Sequence, residues 1–188
     1  MLVRMTTNKE ITEAARILSG LEPGFLPFPI FEQVARLSTL PIVEIVPLRQ
    51  NARGEVEVLL LPRHAVDDLA IFKDNLHTPG VVVRPSDTSG SFEDAFRRIL
   101  QDELQGLACS EPTYVTHILH NSGRGLEAAQ IYWVEVLEEP IVGAFYTADE
   151  LPASTMQSQF DFIPTAVAHY RTTLGTHADP LSTQLTSA

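Results

Sequence analysis

Apolar residues recur with two different periods along the chain, and the change of period separates helices from strands. Between residues 7 and 20 they recur every three to four positions, as on one face of a helix. Thr7 and Glu10 have the spacing of a capping box, and Gly20 can end the helix. Between 41 and 61, two runs rich in Ile, Val and Leu flank a polar turn. This second pattern predicts a β-hairpin.

The rest of the pattern mixes the two periods. The clearest helix is predicted for 91–106, with Ser91 and Asp94 as its capping box and Gly106 at its end. The segment 63–75 is polar and shows no clear period. The other predicted elements are a helix at 31–37, strands at 76–83, 113–119, 126–137 and 143–147, and a helix at 164–174 that starts with Pro164. We therefore predict an N-terminal helical extension (1–40), one domain (41–175) and a flexible tail (176–188).

Composition supports a single packed domain without a membrane anchor. The chain has 188 residues, of which 44% are hydrophobic, yet no apolar run reaches the roughly 18 residues of a membrane helix. The first ten residues contain no apolar core of a secretory signal, and the single cysteine, Cys109, cannot form an internal disulfide. These features predict a cytoplasmic protein.

The charge balance disfavours one class of partner. The formal net charge is −11, whereas a protein that binds the nucleic-acid backbone needs a basic surface. We expect no nucleic-acid polymer as a partner. A small polyanion would have to be screened by a divalent cation or met by a few arginines; the candidates are Arg84, Arg97, Arg98 and Arg124.

A Pro-Gly turn, a strand, a polar loop and a capped helix follow one another between 76 and 106, and the helix ends in an acidic pair and a glycine. This order resembles the Nudix box. The positions that match are Pro79, Gly80, Ser91, Ala95, Arg98, Asp102, Glu103 and, one residue late, Gly106. The aromatic strand followed by Asp-Glu-Leu-Pro at 143–152 is similar to the end of the same fold. The resemblance covers roughly 41–174 and implies an α/β (α+β) protein with a Nudix-like mixed β-sheet sandwiched between helices.

The resemblance also assigns candidate site residues. It implies that Asp102 and Glu103 ligate Mg²⁺ or Mn²⁺ with the help of the Gly80 backbone, and that Arg98 organises this acidic site. Without the resemblance, the exposed edge of a surface helix is the favoured explanation of this acidic pair; with it, the two explanations have equal weight. His77, beside the Pro-Gly turn, and Arg84 are the candidate substrate-binding residues. A distal base could come from any of Glu127, Glu135, Glu138, Glu139 and Glu150.

Two departures from the box bear on activity. Ile99 replaces a metal-binding glutamate and cannot ligate a cation, and Gly90 stands where the family has another glutamate. One hypothesis is therefore a metal-dependent pyrophosphohydrolase of nucleoside-diphosphate-linked compounds with an impaired or altered site. The alternative is an inactive Nudix-fold module that binds a nucleotide-like small molecule. The apolar N-terminal arm favours packing on the domain or formation of a homodimer.

Overall fold

A computed structural model describes residues 6–22, 24, 26–63, 74–88 and 90–177 of the chain. The helices are α1 (Asn8–Ser19), α2 (Phe28–Leu37), α3 (Glu93–Arg98), which runs into a π-helical turn (Ile99–Glu103), and α4 (Gln159–His177). The strands are β1 (Leu40–Gln50), β2 (Val56–Pro62), β3 (Leu76–His77), β4 (Gly80–Val82), β5 (Thr113–Asn121), β6 (Leu126–Glu135) and β7 (Ala144–Thr147). No helix in these ranges is both long and apolar enough to cross a membrane.

The strands form one mixed seven-stranded sheet in the order β3-β2-β1-β6-β5, with β4 also paired to β1 and β7 to β2. The predicted hairpin is the antiparallel pair β1–β2, and the centre of the sheet is the parallel pair β1–β6. α4 packs on one face, and α3 with the π-turn packs on the other. The expected α/β fold with a sheet between helices is confirmed.

The central strand β1 explains why its sequence is apolar at nearly every position. Successive side chains of a strand point to opposite faces, and both faces of this sheet are covered. Ile42 and Val46 enter the core beneath α4, whereas Val43 and Ile45 enter the core beneath α3. Glu44 lies on the α4 side of the same strand and is also buried. It is thus a single carboxyl within an apolar row.

The helix predicted for 91–106 is shorter, spanning 93–103, and changes from α to π geometry at Ile99. Phe92 precedes α3 in the left-handed conformation, and Ser91 donates to the Glu93 side chain rather than capping the helix. The predicted capping box at Ser91 is therefore wrong. A π-helical turn accommodates one residue more than an α-helical turn, and such turns are frequent at functional sites. This extra residue explains why Gly106 comes one position later than in the box.

The last helix begins earlier and ends later than predicted. α4 starts at Gln159, so Pro164 lies inside it, and it continues past Gly175 to His177. Phe162 and Ile163 are buried under the sheet, and this burial holds the turn before Pro164 in helical conformation. The predicted tail (176–188) therefore starts two residues too early, because 176 and 177 belong to α4, and its remaining residues lie outside the described ones.

Candidate functional site

A small cleft lies beside the start of β4. It encloses about 60 Å³, enough for a few water molecules or one phosphate-sized group. Its polar walls come from β1, the segment before β4, the β5–β6 turn and the start of α4. The polar residues that line it are Glu44, Arg63, His77, Thr78, His120, Ser122, Arg124, Glu127, Ser158 and Gln159.

The Glu44 carboxyl group is hydrogen-bonded on the floor of the cleft. Thr78 Oγ1 lies 2.6 Å from Glu44 Oε1 and also bonds to Gln159 Oε1, while Gln159 Nε2 donates to Glu44 Oε1 over 3.1 Å. Burial outweighs the hydrogen bonds from Thr78 and Gln159, which lower the pKa of Glu44, and raises it to about 8, so the group is neutral near pH 7.

Gly80 is required by its close approach to this carboxyl group. A Cβ atom at position 80 would lie 1.9 Å from Glu44 Oε2 and 3.2 Å from the Val43 carbonyl oxygen. Any side chain would have to push Glu44 out of its pocket. The Pro-Gly turn therefore has a structural role, and the metal-binding role of Gly80 that the resemblance implied stays a prediction.

The second carboxylate of the cleft is ionised and paired. Glu127 Oε1 accepts from Ser122 Oγ over 2.6 Å and from Arg124 Nη2 over 3.0 Å, and His120 Nε2 lies 3.3 Å from its other oxygen. Burial opposes ionisation, but contacts with His120, Arg124 and Ser122 outweigh it and lower the pKa of Glu127. Of the five glutamates left open as a distal base, Glu127 is the one that lines the cleft.

Glu103 contacts Gly80, which lines the cleft, but does not line the cleft itself. Its Oε2 accepts from the Gly80 N–H over 3.1 Å. Burial raises the pKa of Glu103 to about 7, against the opposing effect of the Gly80 hydrogen bond. Its neighbour Asp102 is exposed to solvent and is also not part of the cleft lining. The structure thus brings Glu103 and Gly80 together and leaves Asp102 apart from them.

Position 99, the remaining one of the three metal-binding positions that the resemblance implies, lies in the hydrophobic core. Ile99 is fully buried and packs with Val43, Ile45 and Leu59 beneath the sheet. Within the described part of the chain, no three His, Cys, Asp or Glu side chains are grouped so as to hold a metal ion. Glu44 is protonated and Glu127 is paired with arginine. These donors do not fit the several-metal cluster that the family resemblance implies.

Arg98 hydrogen-bonds to Asp87 and Val82 rather than to Asp102 or Glu103. The charge of Arg98 partly offsets the burial that raises the pKa of Glu103, and its role as organiser of the acidic site stays a prediction. Its Nη2 forms an ion pair of 2.6 Å with Asp87 and also donates to the Val82 carbonyl over 3.0 Å. The Asp87 carboxylate is almost fully buried and accepts from the Arg84 N–H as well. Asp87 therefore supplies Arg98 with a carboxylate partner, in place of the glutamate that the resemblance implies at position 90. The loop before α3 contains this acid in its sequence, but no spacing rule pointed to it.

The two predicted substrate-binding residues are placed differently. His77 lines the cleft, and its Nδ1 lies 2.7 Å from the Thr78 carbonyl, so this nitrogen carries a proton. Arg84 is half-buried and is not among the residues that line the cleft. Its backbone supports the Asp87 loop. Binding by His77 stays a prediction, and the cleft offers no contact to Arg84.

Comparison with protein-family models and with curated proteins finds no match to this sequence. Solved structures do match it. A mutT/nudix family protein from Listeria innocua has 14% identity and a TM-score of 0.53, covering 73% of this chain and 97% of its own. The Ap4A hydrolase of C. elegans has 11% identity and a TM-score of 0.52 over 71% and 99% of the two chains. The NUDIX domain of Shewanella oneidensis NrtR, complexed with ADP ribose, has 16% identity and a TM-score of 0.55 over 83% and 97%.

These likenesses establish the class of protein by its fold. The match covers nearly the whole length of each of these three chains. The chain has the Nudix fold, as the sequence predicted. Two features of this chain stand out within that fold: the helix that resembles the Nudix box contains a π-turn, and Ile99, at a position where the resemblance implies a glutamate, is part of the core.

Proposed function

We propose that this protein binds a phosphate-bearing, nucleotide-like small molecule in the cleft and has lost the metal cluster of the Nudix hydrolases. One observation carries the proposal. Of the three box positions that hold metal in the family, Ile99 is in the core, Asp102 is exposed, and only Glu103 contacts the cleft wall. Fold alone does not distinguish a hydrolase from a binding module, whereas the side chains at these positions differ between the two.

The charge of the cleft supports an anionic ligand. Arg63 and Arg124 line it, together with His77 and His120. Two carboxyl groups, those of Glu44 and Glu127, are among the described residues that line the cleft. Glu44 is protonated near pH 7. The chain as a whole has a net charge of −11, so the two arginines of the cleft contrast with the overall charge. Arginine is well suited to phosphate because its planar N–H groups match the phosphate oxygens.

A second candidate function is retained because one observation favours it. Glu103 has a pKa raised to about 7 beside the Gly80 turn, which is the range expected for a general base near neutral pH. A pyrophosphohydrolase that used this carboxylate would lose turnover on Glu103→Gln. The nucleotide-binding proposal expects no turnover to lose.

Calorimetric titration with ADP-ribose, at neutral pH and in excess EDTA, tests the proposal. We expect saturable one-to-one binding without a divalent cation, because the arginines rather than a metal meet the phosphates. Arg124→Gln should weaken binding roughly ten-fold, the effect of removing one charge-assisted contact. Arg53→Gln, an equal charge change at an exposed turn residue, should leave affinity unchanged.

Two results would contradict this proposal. The first is an absence of saturation by ADP-ribose in EDTA. The second is hydrolysis of ADP-ribose in Mg²⁺ that Glu103→Gln abolishes, which would support the second candidate instead. Thermal unfolding of each variant should accompany the titration, because Arg124 also compensates the buried Glu127 carboxylate.

A further inference from the structure

The N-terminal extension contributes a wall to a second cavity next to the cleft. α2 is held against the β5–β6 turn, since Ala35 is fully buried and a Cβ on Gly125 would lie 2.0 Å from the Ala35 carbonyl oxygen. Phe31, one turn earlier on α2, packs on the core beneath α4. The contact requires glycine at position 125, because any side chain there would clash with the backbone of α2. α2 is therefore a fixed part of the domain surface.

Between α2 and this turn lies a groove of about 210 Å³. Two aromatic rings line it, those of Phe28 and Phe31, with their centroids 6.5 Å apart and their planes tilted by 32°. Phe28 is 45% exposed, so much of its ring remains available for a contact. The rest of the groove is polar and is formed by Glu32, Gln33, Arg36, Gly123 and Arg124.

The groove and the cleft share one residue. Arg124 lines both cavities and is held in place by its ion pair with Glu127. A ligand that placed a phosphate against Arg124 from the cleft would extend its attached group along the groove. The cleft, at about 60 Å³, is too small to hold a whole nucleotide by itself.

We propose that this groove is the subsite for the base of the nucleotide, which would stack on the ring of Phe28 while its phosphate meets Arg124. The inference rests on the proposed function and deepens it by locating the aromatic half of the ligand. A planar heteroaromatic ring suits the groove because aromatic side chains stack on any base, and arginine adds a cation–π contact. Gln33 and Arg36 also line the groove, hydrogen-bonded to each other, and offer polar groups to the donors and acceptors of a base.

The test uses two probes that differ only in the base, AMP and ribose 5-phosphate, titrated into the full-length protein in EDTA. Phe28→Ala should weaken AMP binding roughly ten-fold, as expected for the loss of one base–aromatic stack, and leave ribose 5-phosphate unaffected. Leu37→Ala is the matched control, because Leu37 is 73% exposed on the same helix and does not line the groove. It should change the affinity for neither probe.

The outcomes separate this inference from the proposed function. If the wild-type protein binds both probes and Phe28→Ala alters neither, the base subsite is refuted while phosphate binding stands. Equal weakening of AMP and ribose 5-phosphate would also refute it, because Phe28 would then act on the cleft as a whole. If neither probe binds the wild-type protein, the proposed function and this inference fail together.

Discussion

An Ile99→Glu variant is expected to lose at least about 4 kcal/mol of unfolding free energy, or not to fold at all. The substitution reinstates the glutamate of the Nudix box, yet position 99 is fully buried between the sheet and α3. A carboxylate there has no partner, and an unpaired buried charge is among the most destabilising changes known. Urea denaturation followed by circular dichroism measures the loss.

Ile99→Val is the control for this experiment. It removes one methyl group from the same site and should cost only about 1 kcal/mol. A stable Ile99→Glu protein would contradict the packing of Ile99, and it would suggest that the side chain can turn toward the metal positions. We expect instead that restoring the family residue destroys the core without creating a metal ligand.

Unfolding free energy is expected to fall as the pH rises, with Glu44 as the main cause. The pKa of Glu44 is raised from 4.5 to about 8, so between these values the folded protein holds a proton that the unfolded chain releases. The stabilisation is complete below the unfolded pKa and is lost as the pH rises toward the folded one. The slope is ~1.4 kcal/mol per pH unit for one such group, or roughly 3 kcal/mol between about pH 5.5 and pH 7.5.

Glu44→Gln should remove most of this slope. Glutamine keeps the size of the side chain and an oxygen that accepts hydrogen bonds, but it has no proton to lose. The variant should therefore be more stable than the wild-type protein at pH 8 and should lose less stability on going from acid to alkaline pH. Glu103, with a pKa of about 7, should account for a remaining slope. Parallel pH profiles for the two proteins would contradict a protonated Glu44.

Sequence patterns were sufficient for the parts of the fold that depend on local periodicity. The hairpin of β1 and β2, the strands β5 and β6 and the capping box of Thr7 and Glu10 all follow from residue spacing. The Nudix arrangement followed from the order of weak motifs along the chain. These features are encoded by neighbours in sequence, so a single chain reveals them.

The site depends on contacts between distant segments, and here the sequence was less informative. The pair Arg98–Asp87 and the protonated Glu44 arise from burial that no local pattern expresses. The choice of Glu127 among five glutamates needed the fold of the β5–β6 turn. The one-residue delay of Gly106 was visible, but its cause, a π-turn that leaves Asp102 exposed, required coordinates.

Titration with Mn²⁺ at pH 8, followed by electron paramagnetic resonance of the free ion, tests most directly whether the metal cluster has been lost. This pH lies above the Glu103 pKa of about 7, so the carboxylate form of Glu103 predominates. With Ile99 in the core and Asp102 exposed, we predict binding no tighter than the millimolar range and no effect of Glu103→Gln. Micromolar binding of Mn²⁺ that Glu103→Gln abolishes would contradict the prediction and identify a working metal site.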